Sequence, residues 1–199
     1  LPLSLSSNYA ATRFRTNYLK DGYLIVNNLW VYMNMAATFD IVVYKTYRDC
    51  ATAPVVVHTF QNVNSVANQL ASVTISTPLE LPLYDEMGSP IDYSFVYQLA
   101  GGMQPYVNKV SCNCGGDEMT VQQYMDVSGI YGNSIDTLRQ WSVNAQANGL
   151  VFGIDIKCMA KDLLCRNMKL NEDIAITAAW ASRFKAAELL IEYVLGSNT

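Results

Sequence analysis

The sequence predicts an α+β protein: an N-terminal antiparallel β-sandwich of jelly-roll-like type, followed by a mainly helical C-terminal part that ends in a long helix. Two observations predict this class. Over residues 1–110, apolar residues alternate with polar ones in short runs that Pro and Gly separate. From residue 111 onward, apolar residues recur mainly at helical spacing. We therefore place a β-sandwich-like domain at 1–110 and an α-rich subdomain at 111–199, with one returning strand at 150–157.

Alternation of apolar and polar residues predicts the strands of the first part. The clearest run is 91–99, whose odd-numbered residues are all apolar and whose even-numbered residues are mostly polar. One face of this strand is therefore expected in the core, and the other face is nearly polar. Similar patterns predict strands at 23–33, 39–47, 54–60 and 72–76. Asn27 and Asn28 predict a bulge or bend in the first of these, and residues 62–71 are expected to form a short helix or a loop.

Helical periodicity and capping residues predict most elements of the second part. Residues 133–146 form an amphipathic pattern with Asn133 or Ser134 as the N-cap, and residues 159–166 predict a short helix. The longest predicted helix covers 172–195, where Asn171 precedes it as N-cap and Gly196 follows it as a stop signal. At 1.5 Å per residue this helix would be about 36 Å long.

The predicted terminal helix has an apolar face that is wider than packing against a single sheet requires. Two adjacent apolar stripes run along it, so a second contact is expected, either within the subunit or with a neighbouring chain. The residues that we expect at this interface are Ile176, Trp180, Phe184, Ile191 and Leu195.

The scarcity of charge indicates a surface that other proteins cover. Only 15% of the residues are charged, whereas a typical soluble domain has about 25%. The 13 basic and 17 acidic residues give a net charge of -4 and form no basic tract, so a nucleic-acid partner is not expected. A membrane partner is not expected either, because Asn27, Asn28 and Asn34 interrupt the uncharged stretch at 22–39.

The residue types that support catalysis are sparse. His58 is the single histidine, it lies within a predicted strand, and we interpret it as structural or merely exposed. Cys112 and Cys114 are the best candidates for a metal site, but one Cys-x-Cys pair is a weak signal without a second pair. We therefore predict no catalytic residue, no cofactor and no metal, and we expect the five cysteines to be reduced thiols.

The order of four sequence features resembles a known class of protein. The strand-rich part contains Gly-Tyr-Leu-Ile-Val-Asn-Asn-Leu at 22–29, and Cys-Asn-Cys-Gly follows at 112–115. Ile-Asp-Ile-Lys-Cys at 154–158 leads to Leu-Cys at 164–165, and Phe-Lys-Ala-Ala-Glu stands at 184–188. In this order the chain resembles virion structural proteins of crAss-like tailed bacteriophages. The resemblance implies a non-enzymatic subunit of a ring in the neck or tail barrel, made in the host cytoplasm, whose partners are its own copies, the portal and adjacent tail rings.

Our first hypothesis is therefore a ring-forming virion assembly protein. The alternative is an extracellular or cell-surface β-sandwich binding module, which the aromatic-rich strands would also suit. A third hypothesis is a small metal-binding domain that uses Cys112 and Cys114.

Overall fold

The computed structural model describes residues 2–16, 22–48, 52–109, 125–144 and 146–158. Within these ranges 68% of the residues are in strands and 5% are helical, and no helix reaches seven residues. The α+β prediction is therefore wrong for the part of the chain that the structure describes, which is mostly β and forms two antiparallel sheets. The helices predicted at 159–166 and 172–195 lie outside the described residues.

The described ranges contain twelve strands. In chain order they are β1 (Tyr9–Thr16), β2 (Gly22–Met33), β3 (Ala37–Tyr47), β4 (Val55–Ser65), β5 (Gln69–Val73), β6 (Leu79–Pro82), β7 (Ile91–Gln98), β8 (Val107–Lys109), β9 (Met125–Gly132), β10 (Ser142–Asn144), β11 (Gln146–Asn148) and β12 (Leu150–Cys158). Six of them form one sheet in the order β10-β9-β1-β7-β3-β4. The other main sheet has the order β12-β2-β5, with β6 also paired to β2, and β8 and β11 form a separate pair. The strands predicted at 23–33, 39–47, 54–60, 91–99 and 150–157 are confirmed, with shifted ends.

An aromatic cluster between the two sheets forms the main core. Phe95 of β7 contacts Phe14 of β1 with ring centroids 5.6 Å apart, and Phe152 of β12 lies 4.9 Å from each of these two rings. The three edge-to-face contacts join strands that are distant in the sequence. The two sheets therefore pack as a β-sandwich around the odd-numbered face of β7, as the alternation at 91–99 predicts.

The even-numbered face of β7, which is nearly polar in the sequence, is also buried. Asp92, Ser94 and Val96 are at most 3% exposed. Part of the cover comes from a 3₁₀ helix, Ile135–Gln140, whose Leu138 packs with Trp141 against Val96. The six-stranded sheet therefore has a core on both faces, and we call the face that carries Val96 its outer face.

The α-helix predicted at 133–146 is replaced by the 3₁₀ helix and by strands β10 and β11. Ile135, Leu138 and Trp141 are spaced by three residues, which places them on one side of a 3₁₀ helix as well as of an α-helix. The Trp141 Nε1–H donates to the Ser134 carbonyl oxygen at 2.8 Å and closes this segment on itself. The sequence pattern correctly marks the apolar side of this segment, but the helix that forms there is a 3₁₀ helix and not an α-helix.

The contacts of the chain divide it between Lys157 and Cys158. Strands β9, β10 and β12, which follow residue 111, complete the two sheets that the earlier strands begin.

Within β2 the burial pattern shifts by one residue at Asn27 and Asn28, where the sequence predicts an irregularity, although the strand is continuous. The prediction of a helix or loop at 62–71 is wrong, because β4 continues to Ser65 and β5 begins at Gln69.

Candidate functional site: the two edges of the six-stranded sheet

Strand β4 ends the six-stranded sheet with a run of exposed valines. Its ladder partner is β3, and it stands last in the strand order. Val55, Val56 and Val57 are 45%, 53% and 38% exposed. An edge strand offers unpaired backbone N–H and C=O groups, and apolar side chains beside them favour pairing with another strand.

Two irregularities interrupt the β3–β4 ladder. The register shifts between Val43 and Tyr44, and again between Phe39 and Ile41. Asn62 has a φ of 52° at the second shift, and its N–H donates to the Asp40 Oδ1 at 2.8 Å. Val55 and Val56 pair in regular register with consecutive residues of β3, so their side chains lie on opposite faces of the sheet. Because both are exposed, both faces of the sheet are accessible at this end of β4.

A groove of about 620 Å³ lies beside the second half of β4. Residues 58–64 of β4 line one side, and residues 72–79 line the other. His58 is exposed there and packs edge-to-face on Phe60 with ring centroids 4.5 Å apart. No carboxylate, lysine or arginine is among the residues that line this groove. The groove therefore offers His58 no charged side chain as a partner in acid–base catalysis.

Strand β10 ends the same sheet at its opposite side. It is three residues long, its ladder partner is β9, and Val143 at its centre is 56% exposed. Each end of the six-stranded sheet thus presents a strand edge with exposed valine.

None of the metal-site or interface residues predicted from the sequence lies in the part of the chain that the structure describes. Cys112 and Cys114, and the interface residues Ile176, Trp180, Phe184, Ile191 and Leu195, lie outside the described residues. Across the described ranges, no group of three or more His, Cys, Asp or Glu side chains is placed to hold a metal ion. None of the helices in those ranges has the length and apolar character needed to cross a membrane.

The sequence pattern at 54–60 predicts a strand but does not indicate that this strand lies at an edge. Three consecutive valines are typical of a strand that is buried on both faces, and here they are exposed. The available signal was Pro54 immediately before the run, since proline is common at edge strands and strand starts.

Comparisons of the chain with protein-family models, with curated proteins and with solved structures gave no match.

Proposed function

We propose that this protein is a non-enzymatic structural subunit that assembles with copies of itself. The observation that carries the proposal is the run of exposed valines on β4, at the open edge of the six-stranded sheet. Burying a valine side chain contributes about 1.5 kcal/mol or more, and strand pairing adds backbone hydrogen bonds. A partner strand on this edge removes the apolar surface from water.

The partner that fits best is the β10 edge of a second copy. The β4 and β10 edges stand at opposite ends of one sheet, so joining them continues the sheet from subunit to subunit. Such a head-to-tail contact uses two different surfaces of the same chain, and it closes into a ring when the rotation between subunits permits. In this contact the exposed Val143 of one copy packs against the exposed Val56 of the next.

The charge pattern favours self-association. The groove beside β4 has no charged lining residue, and the whole chain has only 15% charged residues and a net charge of -4. Repulsion between identical copies is therefore weak.

The resemblance to crAss-like phage proteins suggests where such a ring belongs. It supports a virion subunit of the neck or tail barrel, with the portal or adjacent rings as further partners. A lone histidine and the absence of a metal-ligand cluster among the described residues support a structural role over a catalytic one.

Sedimentation of purified wild-type protein and of the Val56→Lys variant tests the proposal. A lysine on an edge strand opposes pairing, so wild type is expected to sediment as an oligomer and Val56→Lys as a monomer. Leu70→Lys is the matched control, because Leu70 is also 53% exposed but lies on β5 in the other sheet. This control is expected to keep the wild-type oligomer.

A wild-type chain that stays monomeric at all concentrations would overturn the assembly proposal and favour a β-sandwich binding module. An oligomer that survives Val56→Lys unchanged would show that the β4 edge is not the contact.

A further inference from the structure

The outer face of the six-stranded sheet contains a cavity of about 380 Å³ lined by arginines. Arg13 and Arg15 reach it from β1, Arg48 from the end of β3, and Arg139 from the 3₁₀ helix. Asp92 is the single carboxylate among the lining residues. The lining therefore holds four guanidinium groups and one carboxylate, in a chain whose net charge is negative.

Asp92 is already fully engaged by two of these arginines. Its Oδ2 accepts from the Arg15 Nε and its Oδ1 from an Arg48 Nη, each at 2.9 Å. The side chain of Asp92 is 5% exposed, so this carboxylate compensates charge inside the protein. The same Arg48 Nη also donates to the Thr16 carbonyl oxygen at 2.7 Å, and Arg139 donates to the carbonyl oxygen of Arg48.

Three buried polar atoms of the cavity lining have no hydrogen-bond partner. They are the Nε of Arg13, the Nε of Arg48 and the Oγ of Ser94. Arg13 is only 7% exposed, and Ser94 is its directly opposite residue in the β1–β7 ladder. A buried donor without an acceptor costs about 1–3 kcal/mol, and more when it is charged.

The electrostatics of Arg13 agree with this geometry. Burial lowers the pKa of its guanidinium and the positive charge of Arg15 lowers it further, and the carboxylates of Asp92 and Asp126 only partly oppose this lowering. A positive group that is buried beside another positive group is unfavourable unless an anion joins them.

We propose that this cavity binds a phosphate-sized oxyanion, which accepts hydrogen bonds from Arg13 and Ser94. Guanidinium groups bind phosphate and carboxylate oxygens strongly because the bonds are charge-assisted and can be bidentate. One oxyanion would supply acceptors for the unpaired donors and place a negative charge beside the buried guanidinium of Arg13. All of the cavity's lining residues come from one chain, so a dissolved ion can fill the site without the proposed assembly.

Thermal unfolding of the full chain, purified without phosphate, tests the site. Inorganic phosphate at ten times its Kd is expected to raise the Tm by about 3–6 °C, and chloride at equal ionic strength is not. Arg13→Met should abolish this increase. Because that substitution removes a buried unpaired charge, the variant should fold and be at least as stable as wild type in phosphate-free buffer. Lys157→Met, at an exposed residue, is the matched control and should keep the full response.

Two outcomes distinguish the source of the oxyanion. A saturable Tm increase with free phosphate assigns the site to a dissolved ion. No phosphate response, together with loss of the oligomer in Arg13→Met but not in Lys157→Met, assigns it to a carboxylate on a neighbouring copy. The proposal would be overturned if phosphate raised the Tm no more than chloride does and Arg13→Met kept the oligomer. It would also be overturned if phosphate raised the Tm of Arg13→Met as much as that of wild type.

Discussion

At the scale of single residues, Asp92 is expected to be the most sensitive polar position in the sandwich. Its carboxylate bridges Arg15 and Arg48 in a buried setting, so Asp92→Asn leaves both arginines without their anion. We predict a loss of about 3 kcal/mol in the free energy of unfolding, measured by denaturant titration. Asp126→Asn is the control, because Asp126 faces Arg15 across the β1–β9 ladder but is exposed. Equal losses in the two variants would contradict this account of Asp92.

Two core tyrosines predict how stability depends on pH. Burial raises the pKa of Tyr97 and of Tyr93, and their hydroxyls donate to the carbonyl oxygens of Asn148 and Pro82 at 2.6 Å. The folded state therefore binds these protons more tightly than the unfolded chain. The stabilisation is fully present below about pH 10 and is lost as the pH rises above that value.

The expected slope above pH 10 is a loss of about 1.4 kcal/mol per pH unit for each buried tyrosine. Denaturant titrations between pH 7 and pH 11 measure it. Tyr97→Phe should make the slope shallower than that of wild type. A slope that is identical in wild type and Tyr97→Phe would show that Tyr97 ionises freely in the folded state.

At the scale of elements, the packing of the 3₁₀ helix on the sheet depends on Gly132. A Cβ at this position would lie 2.5 Å from the Trp141 ring. Gly132→Ala must therefore displace the indole and disturb its hydrogen bond to Ser134. We predict a loss of about 1–3 kcal/mol and a shifted tryptophan emission. Gly101→Ala is the control, since nothing lies within 4 Å of its added Cβ; an unshifted spectrum in Gly132→Ala would contradict the packing described for Trp141.

The long strands could be predicted from the sequence because their apolar residues alternate over many positions. The pattern at 91–99 correctly placed Tyr93, Phe95 and Tyr97 on the core side. Strand β1 could not be predicted in this way, because Arg13 and Arg15 occupy the face that meets Asp92 and Ser94. Such a polar face looks like an exposed one until the pairing of distant strands is known.

The candidate sites are harder to predict from the sequence than the strands are, because each site depends on which distant strands pair. Which strands end a sheet is decided by the whole topology, so the run Val55–Val57 does not itself indicate exposure, and the local signal is the Pro54 before it. The arginine cavity is similar, because its lining comes from residues that are up to 127 positions apart, from Arg13 to Gln140. The predicted interface at 176–195 remains a prediction, since it lies outside the described residues.

At the scale of the whole molecule, the described residues form a six-stranded sheet that is buried on both faces at β7 and that ends at β4 and β10. Growth along the sheet direction is therefore the route to assembly that we expect from this fold. The scarcity of charged residues in the sequence also favours this assembly, because charged side chains on an edge strand would oppose pairing.

Mixing two edge variants tests this head-to-tail assembly most directly. Val56→Lys keeps an intact β10 edge, and Val143→Lys keeps an intact β4 edge. Each variant alone is predicted to sediment as a monomer, whereas an equimolar mixture should form a dimer of one copy of each and nothing larger. A mixture that stays monomeric, or a Val143→Lys chain that associates with itself, would contradict the account.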